Sequence, residues 1–188
     1  MTTLLIGLAG RARSGKDTAA QHLVNNHGFQ SYALADPLRD GLMHILNLSP
    51  CDFEGEQKEQ ALPWLGRSPR ELMQSLGTEW GRDNVHPELW LLLAEQNLDL
   101  LARTHDTARG FVVSDVRFNN EADFIRKRGG VVLHMDRVVA SPVKTHSSEN
   151  GIQIAPGDLR LKNNGSFDEL FTNINDIVDT LHARAAVA

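Results

Sequence analysis

Residues 10 to 18 read Gly-Arg-Ala-Arg-Ser-Gly-Lys-Asp-Thr and follow a short apolar run, Leu4 to Ala9. An apolar run ended by a glycine-containing turn is the pattern of a buried parallel strand. Gly10 and Gly15 let the backbone curl around an anion with its amides pointing inward, and a helix beginning at residue 16 adds its positive end. Lys16 then reaches the outer phosphates of a nucleoside triphosphate. From the glycine and lysine content of this chain, a chance G-x-x-x-x-G-K is expected only ~0.03 times. An ordinary strand-to-helix turn is therefore the lesser reading.

Asp17 stands where Ser or Thr usually lends Mg²⁺ a hydroxyl, and Thr18 follows it. A carboxylate beside triphosphate is repelled unless a cation lies between them. Asp17 therefore either holds Mg²⁺, directly or through water, or serves the positive end of its own helix. Both readings stand at this point.

A loop that holds a triphosphate supports transfer only if there is a second anion site for an acceptor, and arginines occur where one would lie. Arg39 is on the helix after the second strand, and Arg67, Arg70 and Arg82 bracket Ser68 to Gly81. Arg67 and Arg70 are three apart near a helix start and could address one anion. For any one of them a solvated surface position is the simpler reading; as a group beside a phosphate loop they favour phosphate binding. Ser114-Asp115-Val116-Arg117-Phe118-Asn119-Asn120-Glu121 follows an apolar strand. An acid there can orient a metal or its water, or simply cap a helix. Arg117, Asn120 and Glu121 beside Asp115 favour a site. Gln74 and Trp90 could contact a base, and equally could be surface or core.

The elements that must hold these residues alternate. Strands are expected at Leu4 to Ala9, Gln30 to Leu34, Phe111 to Ser114, Val131 to Met135 and Leu159 to Leu161. Helices are expected at 16 to 27, from Asp36-Pro37 to about Leu46, from Pro69, from Pro87, from Glu121 to Arg128, and at 166 to 184. Asp36 reads as the cap of its helix. Residues 48 to 67 lack periodicity and read as a loose segment with a short helical piece. Such alternation specifies an α/β fold with a parallel sheet, which binds ligands at the carboxyl ends of its strands.

The 188 residues, 41% of them hydrophobic, suit one core rather than two ordinary domains. A net charge of −5 argues against stable nucleic-acid binding. No run approaches a membrane span, and the start carries no basic leader; with one cysteine, Cys51, and no second thiol, a cytoplasmic location is expected. The leucine-rich helix at 87 to 104 could face the core or a second copy in a homodimer.

Several stretches together resemble the bacteriophage-type deoxynucleoside monophosphate kinases, a family of P-loop kinases. They are Ser-Gly-Lys-Asp-Thr at 14 to 18, Ala-Asp-Pro-Leu-Arg at 35 to 39, Leu-Gly-Thr-Glu-Trp-Gly-Arg at 76 to 82, Ser-Asp-Val-Arg-Phe-Asn-Asn-Glu at 114 to 121, and Leu-Lys-Asn-Asn-Gly-Ser at 161 to 166. Lys-Asp-Thr in the loop is itself a mark of that resemblance. The resemblance implies a three-layer P-loop fold over residues 1 to 188 with a five-stranded parallel sheet, a helical acceptor-binding insertion at about 36 to 105 and a lid at about 137 to 157. It implies ATP and Mg²⁺ as cosubstrate and cofactor, a deoxynucleoside monophosphate as acceptor, and, if the gene is viral, the host cytoplasm.

Carried over by position, the resemblance implies donor-phosphate contacts at Arg13, Ser14, Gly15, Lys16, Asp17 and Thr18, and adenine contacts at Asn163, Asn164 and Gly165. It implies acceptor contacts at Asp36, Arg39, Arg70, Arg82, Asp115 and Arg117, to which Arg67, Gln74, Asn120 and Glu121 are added from the reading above. Metal would fall to Asp17, Thr18 and Asp115. Lys16, Asp17 and Arg137 would act on the phosphoryl group, Arg137 by closure of the lid. His146, in the lid, has no second ligand at metal spacing and reads as a solvated loop residue. The competing readings are another small-metabolite P-loop kinase, of the dephospho-coenzyme-A or phosphomevalonate kinase kind, and a P-loop switch without an acceptor.

Overall fold

A computed structural model of the chain describes residues 3–138 and 152–185. Five strands, β1 (Leu4–Ala9), β2 (Phe29–Tyr32), β3 (Gly110–Val116), β4 (Val131–Asp136) and β5 (Leu159–Lys162), form one sheet in the order β2-β3-β1-β4-β5. Every neighbouring pair is parallel. The first strand is thus the central one, and the loop that leaves it opens at the carboxyl edge of the sheet, where such folds bind ligands.

Alternation along β1 explains its position. Ile6 and Leu8 turn to one face and are 1% and 0% exposed. There they join Ala19, Ala20 and Leu23 of α1 (Lys16–His27) and Leu170, Ile174, Val178 and Leu181 of α6 (Phe167–Ala185) in the main core. Gly7 turns to the other face, where a Cβ would stand 3.0 Å from Ile125 of α5 (Asn119–Lys127). Helices therefore cover both faces, giving the expected three-layer α/β fold. Burial on both faces is why these strands read as continuous apolar runs.

The chain divides into two compact units, one of residues 1–33 and 98–188 and the other of residues 34–97. The second unit is an insertion that begins near the expected residue 36 and ends before the expected 105. It contains α2 (Asp36–Leu46), α3 (Pro69–Gln74) and the first half of α4 (Leu89–Thr104). Residues 48 to 67, read as loose, contain two 3₁₀ turns, Pro50–Phe53 and Gln57–Glu59. Ser68 starts α3 with a capping box: its hydroxyl accepts from the Glu71 amide and its own amide donates to the Glu71 carboxylate.

Some boundaries differ from expectation. β2 starts at Phe29 and ends at Tyr32, because its ladder to β3 runs only from Phe29–Gly110 to Tyr32–Val113. Asp36 is the first residue of α2 rather than its cap, which is Ala35. α3 passes into a wider, π-helical stretch, Ser75–Val85, whose i→i+5 pattern ends with the His86 amide donating to the Gly81 carbonyl at 2.9 Å. Trp90 packs on its glycines, and the indole N–H donates to the Gly77 carbonyl at 2.7 Å.

Candidate functional site

The loop is built by three left-handed or positive-φ residues, Gly10 (φ 151°), Arg13 (φ 65°) and Gly15 (φ 97°). Only glycine adopts such angles without steric cost, so Gly10 and Gly15 are fixed by the curl itself. Gly15 is the N-cap of α1 and brings no side chain to its first-turn amides. Those amides and the helix dipole face the loop. The Lys16 ammonium lies over the loop, donating to the carbonyls of Gly10 at 2.8 Å and Arg11 at 2.9 Å. Ser14 is 1% exposed, and its hydroxyl has no hydrogen-bond partner among the described residues. Asp17 is exposed in the first turn of α1, with Thr18 half-buried beside it.

The loop is held from behind. Asn163, 7% exposed at the end of β5, donates its side-chain amide to the Ser14 carbonyl at 2.9 Å. A Cβ on Gly15 would overlap that same amide. Asn164 accepts from the Val138 amide at 2.8 Å, next to the exposed Arg137. Gly165 lies beside Glu169, whose carboxylate a Cβ would overlap. The stretch expected at the adenine therefore also has a structural task, tying β5 to the phosphate loop. Of the lid, residues 139–151, including His146, lie outside the described residues.

Ala9 of β1 is in register with Val116 of β3, so Asp115 ends up half-buried beside the start of the loop. Glu121 is 3% exposed, and its carboxylate accepts from the amides of Arg117 at 2.7 Å and Phe118 at 3.1 Å. It shapes the turn that presents Arg117 and does not offer its acid outward as an acceptor-binding group. Asn120 is half-buried on α5 next to it.

A second polar cluster, not marked by any motif, lies between β4 and β5. Asp158 has a side chain 2% exposed and accepts from both Arg126 Nε (3.0 Å) and Nη2 (2.6 Å), from His134 Nε2 (2.9 Å) and from the Ala155 amide (2.9 Å). Burial alone would raise its pKa, but these donors and the guanidinium charge outweigh it and hold the carboxyl at about 2. Arg126 is correspondingly raised above its ordinary value, against its own burial. Arg126 also donates to the Gln153 carbonyl at 3.0 Å, and Asn119 accepts from the Gln153 amide at 2.8 Å. The described end of the expected lid, at Gln153, is thereby pinned to α5.

That pinned segment roofs a cleft of about 240 Å³ at the carboxyl edge of the sheet. The loop residues Gly10 and Arg11 form one side, and Arg117, Asp136, Ile152 and Arg160 contribute to the others.

The remaining expected residues belong to the unit of residues 34–97. Arg39 pairs with Asp36 at 3.0 Å and Arg70 with Glu59 at 2.7 Å, while Arg67 lies 3.8 Å from Glu71. Arg67 and Arg70 are thus each directed to a different carboxylate rather than to one shared point. These pairs are largely exposed and add little to stability. Arg82 is half-buried on the π-helical stretch, and Gln74 is exposed at the end of α3. Trp90 is a packing residue, buried against Gly77 and Gly81.

A parallel sheet with its glycine-rich loop between the central strand and the first helix, and a lysine over that loop, defines a P-loop kinase fold. Two solved structures share this fold with the chain. A Thermus thermophilus protein matches with a TM-score of 0.52 and 19% identity over 96% of this chain and 99% of that one. A Chloroflexus aurantiacus protein matches at 0.50 and 8%, over 95% and 97%. The family model for deoxynucleotide monophosphate kinase matches residues 4–62 and 57–174. A chain of Acanthamoeba polyphaga mimivirus assigned as a deoxynucleotide monophosphate kinase is 35% identical, covering 94% of this chain and 96% of its own length. The deoxynucleotide monophosphate kinase of Enterobacteria phage T4 is 29% identical, over 94% and 99%. The chain belongs to the deoxynucleotide monophosphate kinase family and is a nucleotide kinase. No helix among the described residues is long and apolar enough to cross a membrane.

Proposed function

We propose that the protein transfers the terminal phosphoryl group of ATP to the 5′-phosphate of a deoxynucleoside monophosphate, giving the diphosphate. The observation that carries this is the loop Gly10–Thr18 at the end of the central strand, with the Lys16 ammonium 2.8 and 2.9 Å from two of its carbonyls, in a chain of this family.

The chemistry asks little covalent help of the protein. A nucleotide 5′-phosphate is largely dianionic at neutral pH, its second pKa being about 6, so the attacking oxygen needs no strong base. What remains is to bring two mutually repelling anions into line and to neutralise charge on the group in flight. The α1 amides and Lys16 hold the donor phosphates. Arg117, on the turn shaped by Glu121, holds the acceptor phosphate, and Arg137 joins the transferring group from the lid. Asp17, Thr18 and Asp115 are hard oxygen donors of the kind Mg²⁺ takes, and they would hold the ion, which supplies charge neutralisation between donor phosphates.

Incubating the protein with ATP, Mg²⁺ and, separately, dTMP, dGMP, dCMP and dAMP tests the reading. The diphosphate should appear with at least one of them and vanish in Lys16→Ala. ATP turnover unaffected by any monophosphate, or full transfer by the Lys16→Ala protein, rejects it.

A further inference from the structure

We infer that Arg160 is a further phosphate-contacting residue, acting with Arg11 and Arg117 on the phosphoryl group being transferred; this rests on the kinase reading above. Register places the three together. Ala9 pairs with Val116 on one side and His134 on the other, and His134 pairs with Arg160. Arg160 on β5 therefore stands level with the last residue of β1, where the loop begins. Arg117 follows Val116 directly, and Arg11 lies two residues beyond Ala9. All three line the same cleft.

Charge shows what the cleft takes. Two guanidinium groups of this unit have acid partners: Arg126 has Asp158 and Asp123, and Arg128 has Asp99. Arg11, Arg117 and Arg160 have no ion pair among the described residues, and Asp136 is the one acid lining the cleft with them. Three like charges gathered around one small volume repel one another, and a multiply charged anion relieves that repulsion. Ile152, half-buried, and Ile154, exposed, line the cleft on the side of the pinned segment. Lys16 donates to the carbonyl of Arg11, a residue that lines the cleft. The charge nearest this cleft is thus the outermost donor phosphate rather than the phosphates cradled by α1.

The test compares wild type with Arg160→Ala and Arg160→Lys, measuring kcat and both KM values, thermal melting, and calorimetric binding of inorganic pyrophosphate. Loss of one charge-assisted contact to phosphate should lower kcat/KM and pyrophosphate affinity about tenfold or more, with melting unchanged and Lys recovering part of the loss. Wild-type transfer matched within about twofold by Arg160→Ala overturns the assignment and leaves the kinase reading intact. If wild type transfers to no monophosphate, the kinase reading fails instead. Pyrophosphate binding then decides the cleft alone, and equal affinity in wild type and Arg160→Ala overturns it.

Discussion

The side-chain amide of Asn163 donates to the main-chain carbonyl of Ser14 at 2.9 Å, so the last strand of the sheet holds the phosphate loop that leaves the first. Ser14 sits in the middle of the curl, and its carbonyl is turned away from the amides that must face phosphate. Asn163→Ala leaves that buried carbonyl without its donor, at a cost of about 1–3 kcal/mol. It also frees the loop to relax. Melting temperature should fall and the KM for ATP should rise, with the acceptor KM less affected. Gly15→Ala should do more on both counts, since it adds a left-handed penalty to an overlap with Asn163. An Asn163→Ala protein with unaltered ATP affinity would show that the clamp does not shape the loop.

Asp158 makes stability depend on acid. Its folded pKa of about 2 lies below the ordinary 3.8. The stabilisation is therefore complete above the ordinary value and is lost as pH falls from about 4 through about 2. The difference corresponds to about 2 kcal/mol. Urea midpoints measured from pH 6 down to pH 2.5 should fall more steeply for wild type than for Asp158→Asn. Arg126→Met should be the more damaging change at neutral pH, because it leaves the buried carboxylate without its charged partner and with only His134 and the Ala155 amide as donors, a loss of up to about 3–5 kcal/mol. Parallel pH curves for wild type and Asp158→Asn would contradict the account.

The contrast between those two sites explains what the sequence alone could reveal. The loop was legible because phosphate binding demands glycine at fixed offsets and a lysine behind them, and the strand and helix around it carry strong apolar periodicity. Arg126, His134 and Asp158 carry no such signal. They are scattered over a helix, a strand and a turn; the β4–β5 register brings Asp158 to His134, and α5 brings Arg126 to the same carboxylate. Glu121 was visible as an acid near Arg117, but its side chain turns inward to two amides, which spacing alone does not reveal. Arg67 and Arg70 differ in another way. Their spacing suggested one shared anion, whereas each has a local carboxylate within reach. The helix expected from Pro69 gives no hint that its continuation, Ser75–Val85, widens into a π-helical winding.

Within residues 34–97, Trp90 lies where a side chain at Gly81 would be. Gly81→Ala must push the indole away or unwind the π-helical stretch, and the Trp90 bond to Gly77 at 2.7 Å resists the first. Overpacking of this kind costs about 1–3 kcal/mol. The variant should melt earlier and lose near-ultraviolet dichroism from Trp90. The half-buried Arg82, next in sequence, should shift with it, so acceptor KM should rise more than the KM for ATP. Gly81→Ala with wild-type melting and dichroism would mean that the indole yields freely.

Glu121 separates a positioning role from direct contact with substrate. Its carboxylate accepts from the amides of Arg117 and Phe118, and it is 3% exposed. Both amides donate to the one oxygen Oε2, so Glu121→Gln can set its single amide oxygen there and keeps both bonds without the charge that strengthens them. Glu121→Ala removes both. Phosphoryl transfer should therefore fall in the order wild type, Gln, Ala, with the change carried mainly by the acceptor KM, because Arg117 loses its fixed aim rather than its charge. Stability should fall in the same order, by about 1–3 kcal/mol for Ala. Arg117→Ala provides the control: it should raise the acceptor KM without lowering the melting temperature, since its side chain is exposed. In an Arg117→Ala background the further effect of Glu121→Ala on KM should be small, while its effect on melting persists. Steady-state kinetics and melting of the two single variants and the double variant measure that non-additivity directly. Fully additive losses in KM would mean that Glu121 acts on the acceptor independently of Arg117.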